Sequence, residues 1–268
     1  MSRVGFPWWV RAILFLVAFQ ALLLVVVFFQ TDLVKLLVPW SATPLNARFI
    51  AALYTSLGLG ILVAAFARQI LRARIVLFAI GLATGLLFVI TLPYIPALNP
   101  FPSMWMTFYI IDPLLVAIAF WRLRGRWDET AHVWNPLALF WAAQAVFLLA
   151  VGLAMLIFPR VAVALWPWGL SVPLAQLYSA FSITLGVGYV LAALDSRWTA
   201  AQILVWSSFG LAVFVLAVSI YDLDRFKPGL PAFLWFAIFG IEALALGGVT
   251  IVCDGVIIFR RIRREPVA

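Results

Sequence analysis

The chain has 268 residues, 66% of them hydrophobic and 10% charged, with a formal net charge of +8. A mean hydropathy of +1.15 excludes a soluble globular domain, because so few polar residues cannot cover a water-facing surface; this is the composition of an all-α integral membrane protein. Nor does the positive charge speak for nucleic acid as a partner, since the basic residues are spread along short segments between apolar runs.

A helix of about 20 apolar residues crosses a hydrocarbon layer about 30 Å thick. Eight such runs are predicted in chain order, near residues 8–29, 46–67, 75–92, 104–121, 136–158, 174–194, 199–220 and 232–253. The first follows Arg3 but is too long for the core of a signal peptide. It ends at Phe28-Phe29-Gln30 without a small-x-small cleavage site, so it is expected to remain as a helix. Two apolar segments, Thr31 to Trp40 and Pro159 to Trp168, are too short to span and are stopped by proline, which suits short helices lying in the interface. The loops around Pro93 to Pro102 and Asp222 to Pro231 are also proline-rich. Alternation of period two is absent, which argues against a β-barrel.

Charge sets the expected orientation. Arg3, Arg11, Arg68, Arg72, Arg74, Arg122, Arg124, Arg126, Arg197, Arg260, Arg261, Arg263 and Arg264 fall on one side of the eight-helix arrangement, against Lys35, Arg160, Arg225 and Lys227 on the other. The positive-inside rule then places both termini in the cytoplasm. Of the 18 basic residues, all but Lys35 and Lys227 are arginine, a composition like that of a bacterial chain, whose location would be the inner (plasma) membrane. Membrane lipids are the expected contacts of these arginines, and Arg122-x-Arg124-x-Arg126 suits either a topology signal or a lipid phosphate.

The chain also repeats itself. Pro39-Trp40 through Ala65 recurs as Pro167-Trp168 through Ala193, with Leu57-Gly58-x-Gly60 matching Leu185-Gly186-x-Gly188. Farther on, Gly81-Leu82-Ala83 matches Gly210-Leu211-Ala212, and Trp105 and Ile111 match Trp235 and Ile241. The expected architecture is therefore a 4+4 parallel repeat, residues 1–130 and 131–268, related by a pseudo-twofold axis along the membrane normal. Helices 1 and 5 give the weakest pairing. Small residues at Ser56-x3-Gly60, Thr184-x3-Gly188 and Gly81-x3-Gly85 suit close helix packing, within the chain or across a homodimer.

Ionisable residues inside spans are costly, about 2.5 to 3.5 kcal/mol each on insertion scales, and so are informative. Asp112 in the fourth run and Glu242 in the eighth coincide under the repeat, while Arg48 falls on Gln176. A buried carboxylate either pairs with a cation or takes up a proton. Arg48 and Asp112 are expected to pair, which leaves Glu242 as the proton-linked group. Gln20, Gln144, Tyr54, Tyr109, Ser182 and Thr184 would line the same interior. The same positions also suit structural ties between helices, and both readings stand here.

Other features carry less. His132, preceded by Trp127, Asp128 and Glu129, lies in a loop as a solvated residue, and no ligand spacing indicates a metal. Asp254-Gly255 falls short of a paired-aspartate lipid-transferase pattern, no glycine loop, HExxH helix or nucleophile elbow is present, and Cys253 is the single cysteine. Most of the 13 tryptophans form an aromatic belt; Trp141 and Trp206 lie deeper, where they fill volume or border an apolar cofactor whose identity the sequence does not give. The expected function is a binding or transport protein with a polar site between the repeats around Asp112, Glu242, Arg48, Gln176, Gln20 and Gln144, without a catalytic motif. The alternative is a non-catalytic structural subunit of a larger membrane complex, with other membrane subunits as partners; a lipid-modifying enzyme ranks third.

Overall fold

A computed structural model describes residues 6–30, 33–34, 42–97, 102–124, 136–195 and 197–262. The described helices are α1 (Trp8–Phe29), α2 (Pro44–Ala65), α3 (Ile70–Thr91), α4 (Pro102–Leu123), α5 (Pro136–Ile157), a short α6 (Pro159–Leu165), α7 (Val172–Leu194), α8 (Trp198–Tyr221) and α9 (Leu230–Ile262). Single 3-10 segments, Leu92–Ala97 and Leu223–Arg225, follow α3 and α8, and no β-strand occurs among the described residues. All of these helices except α6 are long and apolar enough to cross a membrane, eight in total. Of the two segments expected in the interface, Pro159–Leu165 is a short helix, while 35–41, with Pro39 and Trp40, lies outside the described residues.

Proline punctuates this chain. It opens α2, α4, α5 and α6 and stands in the first turn of α7, where its missing N–H costs nothing because the first turn has no intrahelical acceptor for it. At α2 the Thr43 side chain adds a cap by accepting the Asn46 N–H at 3.4 Å. The exception is Pro113, which lies inside α4 and deprives the Tyr109 carbonyl of its helical donor.

Two helices outrun their apolar stretches. α3 begins at Ile70 and α9 continues to Ile262, several residues beyond the runs expected at 75 and 253. Hydropathy falls at Arg72, Arg74, Arg260 and Arg261, but backbone hydrogen bonding continues through them because a helix does not need apolar side chains where it leaves the bilayer.

In the packing, α2, α3, α7 and α8 form the inner layer: α2 lies against α8, α7 against α3, and α3 against α8. The outer helices attach in order, α1 to α2, α4 to α3, α5 to α7 and α9 to α8. α2 and α7 are the most buried spans and α9 the least. Of the small-residue patterns, Gly60 faces Ser207 and Ile203 of α8, Gly188 faces Leu204, and Gly81 faces Val116 of α4, whereas Gly85 has no neighbour within 4 Å. Close packing at the first three is thus within the chain. The α5 and α7 backbones approach closely at Gly186, where an added Cβ would stand 2.8 Å from Leu149 Cγ and 3.0 Å from Leu149 N.

Gly186→Ala is therefore expected to lower stability by about 1 to 3 kcal/mol through overpacking. Gly240→Ala, with nothing within 4 Å of the new methyl, should be neutral or slightly stabilising, and reversible unfolding in detergent micelles compares the two.

Candidate functional site

A cavity of about 100 Å³ lies inside the first half of the chain, walled by α1, α2, α3 and α4 and closed by α7 and α8. Its wall is predominantly apolar, with Leu24, Leu53, Ile80, Phe108, Phe181 and Leu211 among the contributors. Its polar complement is small: Gln20, Tyr54, Thr84, Tyr109, Asp112 and Thr184, together with the Ser56 and Ser207 pair on one side. None of the lining residues is lysine, arginine or histidine.

Within this cavity the polar accounting does not close. Asp112 is only 3% exposed, and its Oδ1 has no hydrogen-bond partner; Thr184 Oγ1, also buried, is in the same state, while the Tyr109 hydroxyl has that of Tyr54 as its neighbour. Thr84 by contrast is satisfied locally, its hydroxyl donating to the Ile80 carbonyl at 2.7 Å. A buried polar atom without a partner costs about 1 to 3 kcal/mol, more if charged, and here those of Asp112 and Thr184 share one apolar chamber. Pro113 adds to the deficit, because the carbonyl it orphans belongs to Tyr109.

The second half places the matching residues differently. Gln144 of α5 donates through Nε2 to Glu242 Oε2 at 3.0 Å, and Glu242 does not line the cavity. Above this pair, Trp141 is stacked between Tyr189 and Trp198 at centroid distances of 5.7 and 6.4 Å. Trp141 and Trp206 therefore fill volume and make polar contacts: Trp141 is 1% exposed, and Trp206 Nε1 donates to Asp254 Oδ2 at 3.0 Å.

The expected Arg48 to Asp112 pair does not form. Arg48 binds Asp222 at 2.5 Å, Arg225 Nε reaches the same carboxylate oxygen at 2.9 Å, and the Arg48 guanidinium lies over the Tyr221 ring at 4.9 Å. Depth explains the exchange. Arg48 is one turn into α2, about 6 Å from its start, while Asp112 is about 15 Å into α4 at 1.5 Å per residue; α8 delivers Asp222 at the nearer level. Gln176, its counterpart under the repeat, accepts from Tyr94 Oη and donates to the Leu156 carbonyl at 3.1 Å. Of the six expected residues, Asp112 and Gln20 face the cavity, Glu242 and Gln144 bind each other, and Arg48 and Gln176 tie helix ends together.

Two polar centres escaped the sequence reading. Asp254 accepts from Trp198 Nε1 at 2.8 Å, Gln202 Nε2 at 2.7 Å and Trp206 Nε1, which fixes α9 to one face of α8. The spacing of those donors, four residues apart on a helix, was the available signal. Asn46, 1% exposed, donates to the Gly169 carbonyl at 2.8 Å and accepts from Trp168 Nε1 at 2.9 Å and Tyr178 Oη at 3.2 Å. His132, Trp127, Asp128, Glu129 and Arg126 lie outside the described residues. Among the described residues no group of His, Cys, Asp and Glu could hold a metal ion. No family model matches the chain, and no curated protein or solved structure matches it.

The pairing at Arg48 predicts a double-mutant result. Arg48→Ala and Asp222→Ala should show a coupling of about 1 to 3 kcal/mol, while Arg48→Ala and Asp112→Ala should be additive; denaturant unfolding of the three single and two double variants in micelles decides it.

Proposed function

We propose that the chain is a bacterial inner-membrane binding or transport protein, built of two parallel four-helix copies, whose ligand site is the cavity around Asp112 and Gln20. The carrying observation is that two buried polar atoms without partners, one of them on a carboxylate, line one apolar chamber. Protein interiors satisfy nearly all such atoms, and a site that is satisfied by a ligand is the arrangement that leaves them open. The reading is of binding rather than catalysis: the lining offers a carboxylate but no His, Cys or Lys to form a nucleophile and base pair.

Helix packing supports the repeat. Exchanging the copies maps α1 to α5, α2 to α7, α3 to α8 and α4 to α9. It turns the α2 to α8 contact into α7 to α3, α1 to α2 into α5 to α7, and α3 to α4 into α8 to α9, and each of these helix pairs packs. The cavity then lies in residues 1–130 but is closed by α7 and α8 of residues 131–268, a boundary position that transporters with parallel repeats also use. At the end carrying the N-terminus of α1, Arg11 donates to the Ala67 carbonyl at 3.2 Å, and Arg197 and Arg74 approach Asp195 at 2.8 and 3.9 Å; this basic end is the cytoplasmic one under the positive-inside rule. A structural subunit is the second reading, favoured by α9, which packs on α8 alone among the helices with substantial contacts and leaves Ile241, Leu244 and Ile251 exposed.

Chemical labelling tests the site. An apolar carbodiimide, which reaches carboxyl groups from within the bilayer, should modify Asp112 in native membranes and lose that product in Asp112→Asn. Glu242, engaged by Gln144, should react several-fold more slowly. A folded protein whose Asp112 stays unmodified removes the cavity as a ligand site.

A further inference from the structure

We propose that the cavity takes a small monocationic alkylamine, which enters sideways from the bilayer through the seam between α2 and α8. This rests on the reading of the cavity as a ligand site and adds the ligand's chemistry and its route.

The lining selects by charge. A single carboxylate with no cation among the lining residues repels anions and leaves a neutral guest unable to neutralise it. A divalent metal ion prefers six or more oxygen ligands, several of them charged, and one carboxylate cannot supply them. An alkylammonium fits this lining: it brings one charge and three N–H donors, and the cavity presents Asp112 Oδ1 and Thr184 Oγ1 as acceptors without partners, with the Tyr54 and Tyr109 hydroxyls and the Gln20 amide also in the lining. The rest of the wall is apolar and takes the alkyl part. Since a dry cavity of about 150 Å³ binds benzene, the chamber of about 100 Å³ suits a body of a few carbons.

A second concavity, about 160 Å³, opens on the outside of the α2 and α8 seam, lined by Leu59, Val63, Ile203, Trp206, Gly210 and Phe214. Leu59 and Val63 are exposed, which in a membrane means facing acyl chains. Ser56, Gly60 and Ser207 line both this groove and the inner cavity, so they are the wall between them. That wall is thin: Gly60 has no side chain, and the closure is a hydrogen bond from the Ser56 hydroxyl to the Ser207 carbonyl. Parting the packed α2 and α8 helices at this point requires that bond to break.

The test uses the full-length protein in lipid nanodiscs with n-butylammonium, n-butanol and butyrate as probes. Calorimetric titration should give binding of n-butylammonium, about tenfold or more weaker binding of butanol, since hydrogen bonds to charged groups are worth that factor or more, and none of butyrate. Asp112→Asn should reduce n-butylammonium binding to the level of butanol; where that variant does not fold, Thr184→Val, which keeps the carboxylate, should weaken it several-fold. Gly210 lines only the groove, and a Cβ there makes ordinary contacts at 3.6 and 3.7 Å. Gly210→Phe should therefore slow association in stopped-flow tryptophan fluorescence several-fold while leaving equilibrium affinity unchanged. Equal binding of butanol and n-butylammonium, or preference for butyrate, overturns the ligand class. An association rate unaffected by Gly210→Phe overturns the route. Carbodiimide labelling of Asp112 that persists alongside absent amine binding rejects this ligand class while sparing the cavity as a site, whereas loss of both rejects the site itself.

Discussion

Within a hydrocarbon layer no water is at hand for polar groups, so each one that enters must find a partner in the protein. The described structure follows from how that demand is met. Asn46 answers it with four neighbouring groups and so binds the start of α2 to Gly169, Trp168 and Tyr178. Asp254 is held by two indoles and an amide, which attach α9 to α8 by polar contacts where its apolar burial is slight. Arg48, Asp222 and Arg225 do the same at the opposite end. Buried side-chain atoms without a partner also occur elsewhere, at Tyr189, Ser208 and Thr250 among others; what sets Asp112 and Thr184 apart is that both line one cavity.

A difference of one methylene and one proline separates the satisfied carboxylate from the open one. Under the proposed repeat, Asp112-Pro113 corresponds to Glu242-Ala243, and Gln20 and Gln144 occupy the partner helices α1 and α5. The longer glutamate reaches Gln144 at 3.0 Å. The aspartate is shorter, and the proline after it removes a helical hydrogen bond within α4. Volume that one copy fills, the other keeps.

How much of this was legible in the sequence depends on the kind of information required. The eight spans were readable because a helix in lipid must be apolar along its whole crossing, a property of each residue singly. The starts of α2, α4 and α5 were within two residues of their expected positions for the same reason, with proline fixing the N-terminus. Pairings were not readable in this way. Arg48 and Asp112 are both charged and both in spans, but a pair also requires equal depth and facing rotation, and Asp222, placed in a loop by its sequence, lies at the right level. Asp254 was discounted because its signal lay in the donors on α8 rather than in its own neighbourhood. Asp112 itself was found because a lone carboxylate in a span is improbable by energy alone.

Under the proposed repeat, the seams between the copies extend the asymmetry beyond the carboxylates. At α2 and α8 the small residues Ser56 and Gly60 meet Ser207, leaving a groove outside and a cavity inside. At α7 and α3 the matching positions are Thr184, Gly188 and Phe78; Gly188 is filled by Leu204, whose Cδ1 would lie 3.2 Å from an added Cβ, and Phe78 is engaged edge-on by Phe120 at 6.3 Å. Where Ser207 faces the α2 and α8 seam, the phenylalanine at the corresponding position packs on α4 instead, and Ile75 stands beside Gly188. Asp112, followed by Pro113, and the seam serines Ser56 and Ser207 border the same chamber, the coincidence on which the proposed binding function rests.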